Sequence, residues 1–290
     1  MVNSHEVQVS PRIQKSGVQA LAWLWARKLL LSLAGVLVIA LCSGYYAFWV
    51  EPYWIEVTHH EIEAPLGSPL KIAHLTDIHT SGIARRERAM LALIEAERPD
   101  IIVITGDSIS VASDYPGLRQ VLLQLQAPLG VWIVRGNHED WWPVENEQQF
   151  YSTANATLLL NSSREVRDGI WLVGFDDMYG GLPDTNAFGE VPESAYKIAL
   201  FHSPMFIEKT AGRCDLALAG HTHGGQVRLP FIGPLWLPPF SGDFVRGWFE
   251  KQGTRMYVSR GIGTSLLDIR FLSRPEVAII TLGVRSEVLD

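Results

Sequence analysis

The longest apolar run in the chain is LLLSLAGVLVIALCSGYYAFWV, residues 29–50, and it contains no charged residue. A bilayer core takes roughly 20 apolar residues as a helix, so this run predicts a retained transmembrane anchor. A cleaved signal peptide has a shorter apolar core, about 7–15 residues, ending in small residues. This run ends instead in Tyr45, Tyr46, Phe48 and Trp49, side chains suited to a membrane interface. The residue before Cys42 is Leu41, which does not suit a lipoprotein cleavage site.

Beyond residue 50 the pattern changes to short apolar runs. KIAHLT (71–76), IIVIT (101–105) and VWIVR (131–135) read as strands buried on both faces. Between them lie helical patterns. ERAMLALIEAE (87–97) stops before Pro99, and proline disfavours helical geometry in the residue ahead of it. In DYPGLRQVLLQLQ (114–126), Leu118, Val121, Leu122 and Leu125 fall on one helical face. Strand, helix, strand, helix, strand predicts a parallel layer with crossover helices. The second half is richer in strands. TLLLN, IWLVGFD, KIALFHS, DLALAGH, MYVSRGIG and EVAIITLG follow one another with few long helical patterns between them. Two packed sheets with helices outside, a four-layer α/β sandwich, is the expected fold. The expected organisation is a tail (1–28), an anchor (29–50) and one domain (51–290).

Charge adds orientation. Arg12, Lys15, Arg27 and Lys28 precede the apolar run, whereas Glu51, Glu56, Glu61 and Glu63 follow it, with no Lys or Arg until Lys71. The Lys/Arg bias predicts a cytoplasmic N-terminus and a domain on the far side of the membrane. The formal net charge of −7 argues against a nucleic-acid binder. Two cysteines, Cys42 and Cys214, offer neither a disulfide framework nor a thiolate metal knuckle.

Polar residues recur where the strands end. Asp77 and His79 follow the first strand, Asp107 the second, Asn137 and His138 the third. Thirty residues separate Asp77 from Asp107 and Asp107 from Asn137. A βαβ unit takes about 30 residues, so all three groups should lie at one edge of neighbouring parallel strands. That carboxyl edge is where ligands bind in open α/β sheets. His202 ends KIALFH, and His221 and His223 sit in the glycine-rich GHTHGGQ (220–226). Glycine tolerates unusual backbone angles and close approach, which suits a tight ligand loop. Of these, two aspartates, one asparagine and four of the histidines form a mixed oxygen and nitrogen donor set. That set favours manganese, iron or zinc over calcium. Asp107, on the middle strand, is the natural bridge between two ions.

With these residues assembled, the chain resembles a calcineurin-like metallophosphoesterase over about residues 70–282. The resemblance rests on D-x-H, G-D, G-N-H-E, a lone His and G-H-x-H in that order. GHTHGGQ and SRGIGTSLLDIRFLSRPE (259–276) resemble the membrane-anchored or exported bacterial branch, whose relatives include UDP-diacylglucosamine pyrophosphatases of lipid A synthesis. The resemblance implies a dinuclear phosphoesterase at the bacterial inner membrane. Asp77, His79 and His223 would hold one divalent ion, Asn137, His202 and His221 a second, with Asp107 bridging. His138 would contact the phosphate and assist the leaving group. The chain departs from many relatives in having Ser108, Ile109 and Ser110 where they carry an acidic residue. Two cations of this kind neutralise phosphoryl oxygens and acidify a water.

Around this set, Asp176, Asp177 and Glu139 are candidates to orient ligand histidines, with solvated loop carboxylates as the alternative. Arg135 and Arg260 are expected at the surface or steering phosphate, and His59 and His60 at the surface. PFIGPLWLPPFSGDFVRGWFE (230–250) and DWWP (140–143) are rich in aromatic residues and proline. If both line the cleft, its mouth is apolar and the substrate is a lipid-linked phosphodiester or diphosphate; ordinary loop packing is the alternative. A UDP-2,3-diacylglucosamine pyrophosphatase, a non-catalytic interaction module on the same fold, and a nuclease are the competing readings. The charge bias counts against the first, the full donor set against the second and the acidic balance against the third.

Overall fold

The computed structural model describes residues 11–283, with side chains described from residue 19. The part of the expected tail before Pro11 lies outside the described residues, as do the side chains of Arg12 and Lys15. The chain divides into two compact units, residues 1–46 and 47–290. The first is a helix, α1 (Pro11–Tyr45). Leu29, Leu33, Leu37 and Leu41 are all exposed along it. Among the described residues, the apolar stretch Gln19–Tyr53 is the one helical segment long and apolar enough to cross a membrane. The helix starts well before residue 29 and gives way at Tyr46 to irregular turns that reach Tyr53. Ala47, inside the apolar run, is already buried in the second unit, where its carbonyl accepts the Arg270 amide (3.0 Å). Glu51 is fully buried, and its carboxylate accepts the Leu272 and Ser273 amides. Hydropathy cannot distinguish apolar side chains facing lipid from those facing a protein core.

In the second unit the strands are β1 (Glu56–Ile62), β2 (Leu70–Leu75), β3 (Ile101–Thr105), β4 (Val131–Val134), β5 (Thr157–Leu158), β6 (Ser162–Arg167) and β7 (Ile170–Gly174). They continue as β8 (Tyr196–Leu200), β9 (Leu216–Ala219), β10 (Arg228–Leu229), β11 (Gly233–Pro234), β12 (Gly247–Lys251), β13 (Thr254–Val258) and β14 (Glu276–Leu282). One sheet runs β1-β14-β2-β3-β4-β5, the other β12-β13-β9-β8-β7-β6, and β10 pairs with β11 as a separate hairpin. β2, β3 and β4 are parallel, as their spacing predicts. Every residue of β3 is buried, which is why it reads as an unbroken β-branched run.

Alternate side chains of the first sheet build two separate cores. Ala73, Leu75, Ile102 and Ile104 pack on α2 (Arg85–Glu97), α3 (Tyr115–Leu122) and α5 (Glu147–Thr153). Ile72, Ile101 and Val103 face Leu172, Ile198 and Leu218 of the second sheet. The outer face of that sheet, with Phe175, Phe201 and Met256, is covered by Phe188, Phe206 and Ile207. The four layers are therefore as expected, with the last built from single turns such as α6 (Ile207–Thr210) rather than long helices.

Three details differ from the sequence reading. The strand EVAIITL joins the first sheet beside β2, and only Thr157 and Leu158 of TLLLN enter a sheet, also the first. β1 is polar at five of its seven positions and carries no apolar signal. α3 ends at Leu122, although Leu125 beyond it stays buried. Periodicity reports that a segment is extended or helical, but strand partners depend on residues distant in the chain.

Candidate metal centre

The loops that leave β2, β3, β4, β8 and β9 converge at one edge between the two sheets. α4 (Asn137–Trp141) starts directly in this edge. Five of the expected ligands have left-handed backbones: Asp77 (φ 49°), His79 (44°), Asp107 (50°), His221 (72°) and His223 (49°). Such conformations are uncommon outside glycine and concentrate where a fixed side-chain direction matters more than local stability. Glycine matters here for close approach. A Cβ on Gly220 would collide with Thr76 Oγ1 and the Asp77 carboxylate, and one on Gly136 with the Asp107 carboxylate.

The donors form three overlapping groups: Asp77, His79 and His223; His79, Asp107 and His138; Asp107, His202 and His221. Within each group the donor atoms all lie within 4.8 Å of one another. Asp107 Oδ2 is 3.2 Å from His202 Nε2, 3.7 Å from His79 Nε2 and 3.9 Å from His138 Nε2. Asp77 Oδ1 is 3.2 Å from His223 Nε2 and 3.9 Å from His202 Nε2. Asn137 is buried at the same edge.

Hydrogen bonds orient the rings. His202 Nδ1 faces the Thr105 carbonyl (2.7 Å), His138 Nδ1 the Ser110 carbonyl (2.8 Å) and His221 Nε2 the Pro239 carbonyl (2.7 Å). A carbonyl only accepts, so each of these nitrogens carries hydrogen and the opposite nitrogen points inward. His79 Nδ1 lies 3.2 Å from the Ser110 hydroxyl. His79 Nε2 and Asn137 Oδ1 are buried without a hydrogen-bond partner. Unsatisfied buried polar atoms are costly, and two of them in one cluster of carboxylate and imidazole donors fit a divalent cation.

The electrostatics agree. Burial alone would raise the Asp77 and Asp107 carboxyls. His223 and His202 beside Asp77, and His202, His138 and His79 beside Asp107, instead hold both well below the usual carboxylate range. Burial opposes charge on His202, but Asp107 overrides it and raises His202 well above an ordinary histidine. Burial pushes His79 down to about 3 and lowers His221, the latter helped by His202. Two buried carboxylates thus stay ionised beside His79 and His221, which burial holds neutral, a site that calls for positive charge.

The supporting residues differ from those expected. Glu139 accepts the amides of Asp107 (2.9 Å), Ser108 (2.6 Å) and Gly136 (2.9 Å), clamping two ligand loops rather than a histidine. Asp177 accepts the Ser203 hydroxyl (2.6 Å) and the Tyr179 amide (2.7 Å). Asp176 holds Arg135 (2.8 Å). Arg135 also pairs with Asp140 (3.0 Å), and Arg260 with Glu276 (3.2 Å) and Glu56 (2.9 Å), so neither arginine is a free surface cation. His59 is exposed and bonds Glu97 (3.0 Å), but His60 packs on Tyr257 and Trp248. Two contributors escaped the sequence reading. Ser110 touches His79 through its hydroxyl and His138 through its carbonyl, where relatives were expected to carry an acid. Arg270, fully buried, lies 3.4 Å from His223 Nδ1 and donates to the Gly263 and Ser273 carbonyls. A lone serine carries no pattern; the arginine stood inside the SRGIGTS…RF segment.

A cleft of about 400 Å³ opens from Asp107, Asn137, His138, His221 and His223. Its outer walls include Trp141, Tyr179, Leu235, Trp236, Leu266 and Leu267. Both aromatic segments singled out in the sequence therefore reach the cleft.

The calcineurin-like phosphoesterase family model matches residues 70–225. The metallophosphoesterase YkuE of Bacillus subtilis is 33% identical over 83% of this chain and 90% of its own. Escherichia coli phosphodiesterase YaeI is 29% identical over 84% of this chain and 94% of its own. The solved structure of TT1561 from Thermus thermophilus aligns with a TM-score of 0.46 at 12% identity, covering 67% of this chain and 91% of that one.

Proposed function

Since the chain belongs to the calcineurin-like phosphoesterase family and is a phosphoester hydrolase, we propose how its residues divide the work. Asp77, His79 and His223 hold one divalent ion. Asn137, His202 and His221 hold a second, and Asp107 lies between them. Manganese, iron or zinc suits this donor set. Such ions, when bound, supply Lewis acidity toward phosphoryl oxygens and an activated water.

The protein's own groups do the rest. His138 is half-buried at the cleft, with Nδ1 committed to the Ser110 carbonyl. Nε2 is thereby presented to a bound phosphoester, where the doubly protonated ring stabilises charge or delivers its Nε2 proton to the departing oxygen and is left as the neutral Nδ1–H imidazole. Glu139 keeps the Asp107 loop and the Asn137 turn in register through its amide contacts. The aromatic walls of the cleft favour a substrate with an apolar portion. A lipid-linked phosphodiester or diphosphate is the proposed substrate class, hydrolysed by a domain held outside the cytoplasm by the N-terminal helix. A UDP-2,3-diacylglucosamine pyrophosphatase remains the alternative, and it needs the domain on the cytoplasmic side.

The observation that carries this reading is the pair of orphaned inward atoms, His79 Nε2 and Asn137 Oδ1, in a cluster that also presents two ionised carboxylates. It is tested by metal analysis of the purified full-length chain with a phosphodiester panel that includes lipid diphosphates. Bound ions near two per chain and His138-dependent hydrolysis are expected. Metal-free protein, or a His138→Ala variant with undiminished turnover, would remove the assignment.

A further inference from the structure

The hairpin β10–β11 leaves the metal loop and carries apolar side chains into solvent. From Leu229 to Gly242 the chain has no charged residue. At its tip Phe231 is fully exposed, with a left-handed backbone (φ 66°), and Ile232 is 71% exposed. Beside the cleft Leu266 is 88% and Leu267 65% exposed. The base of the hairpin is anchored firmly. The Leu235 amide bonds the Val227 carbonyl (3.0 Å), the Arg228 amide bonds the Phe271 carbonyl (2.9 Å), and the Arg228 guanidinium bonds the Gly224 carbonyl (2.9 Å). An exposed aromatic on a fixed hairpin is poorly explained as a mobile loop end. Large apolar side chains held in solvent on a fixed hairpin mark an interaction surface.

We propose that this hairpin tip, with Leu266 and Leu267, inserts into the surface of a lipid bilayer and opens the cleft to phosphoesters whose apolar portions lie in that bilayer. The inference rests on the phosphoesterase reading for its second half only. Two observations commit the surface to lipid. The same chain carries an apolar helix long enough to cross a membrane, and in sequence only Tyr46 separates the last residue of that helix, Tyr45, from the first residue of the second unit, Ala47. Leu235 and Trp236, which follow the tip three to five residues on, line the cleft together with Leu266 and Leu267, so the apolar segment that begins at the tip runs into the cleft wall.

The test uses the full chain in phosphatidylcholine proteoliposomes, with Cys42→Ser and Cys214→Ser as background. Phe231→Cys and, as control, Asp168→Cys carry an environment-sensitive fluorophore. Asp168 lies in the exposed turn between β6 and β7, at the end of the sheet opposite the metal centre. Nitroxide-labelled lipid should quench the label at 231 several-fold more than at 168, with protection from iodide. Equal quenching at both positions overturns the proposal. So does a label at 231 shielded from iodide but untouched by nitroxide lipid, which assigns the tip to a protein neighbour. A Phe231→Ser, Ile232→Ser double variant should turn over soluble bis(4-nitrophenyl) phosphate within about twofold of the parent. It should lose hydrolysis of a vesicle-borne lipid diphosphate by about tenfold or more, and equal losses on both substrates overturn the access role. An unsubstituted chain inactive on every diester sinks the phosphoesterase reading, while the quenching still decides insertion.

Discussion

His202 Nε2 lies 3.0 Å from His221 Nδ1. The far nitrogen of each ring is committed as a donor to a carbonyl, Thr105 for His202 and Pro239 for His221. The facing nitrogens are then both lone-pair sites in the neutral rings, and only a proton or a metal ion between them relieves the contact. The raised proton affinity of His202 has the same origin, because Asp107 stabilises positive charge there.

Replacing His221 with Ala should therefore remove about one bound ion per chain. Diester hydrolysis should fall about a hundredfold or more, in line with the several kcal/mol that metal-borne charge stabilisation supplies. Elemental analysis and turnover on one preparation check both. Full metal content in the variant would contradict the assignment.

His138→Ala should keep its metal but lose about 10²–10⁴-fold in kcat. If the ring donates a proton, the loss should shrink for leaving groups as acidic as 4-nitrophenol. A loss that is the same for alkyl and nitrophenyl esters would assign His138 to charge stabilisation instead.

Ser110→Ala removes the hydroxyl beside His79 Nδ1 and leaves the carbonyl that holds His138. Metal affinity should weaken about 10–100-fold, the usual cost of losing a ligand-orienting hydrogen bond. With metal at saturation, kcat should stay within about twofold of the parent. Competition with a chelating dye measures the first and turnover at saturating metal the second.

Acid should destabilise the domain in two stages. Burial lowers His74 from 6.5 to about 4. Between those values the unfolded chain binds the proton and the folded one does not, so stability falls as pH drops from 6.5 to 4, by about 3 kcal/mol at 1.36 kcal/mol per unit. For Glu276, burial is outweighed by Arg260, Thr58 and Tyr257, which hold the carboxyl at about 2 against 4.5. Its contribution is present above 4.5 and is lost as pH falls towards 2. Urea titrations of the chelator-treated protein at pH 7, 5 and 4 should show the decline, and His74→Gln should flatten it above pH 4. An unchanged slope in that variant would count against the assignment.

A C-terminal alkaline phosphatase fusion should be active in cells, as the Lys/Arg bias before the apolar run requires. A green fluorescent fusion that is bright instead would put the domain in the cytoplasm and revive the diacylglucosamine pyrophosphatase reading.

Much of the centre was legible because its residues sit at strand ends. A strand's apolar run stops where the chain leaves the sheet, and the next polar residue faces the carboxyl edge. Thirty-residue spacing placed Asp77, Asp107 and Asn137 on adjacent strands, and β2, β3 and β4 are indeed neighbours. Ser110 and Arg270 were missed because their partners, the His79 ring and the Gly263 and Ser273 carbonyls, come near only in the fold, and Glu139, singled out in the sequence, grips backbone amides rather than a histidine. Arg135 and Arg260 were misplaced because charge predicts exposure only when no partner is available. Asp176 and Glu276, each distant in sequence, supply one.

The amino-acid order by itself determined the apolar helix, the strands, the four-layer architecture and the set of candidate donor residues that the fold brings together, because these follow from local periodicity and from side-chain chemistry. Only the tertiary structure decided which nitrogen of each histidine points inward, that EVAIITL pairs with β2, and that the apolar run yields to the folded domain at Ala47. Each of those depends on a carbonyl, a strand or a surface brought near from elsewhere in the chain. No local pattern encodes that proximity.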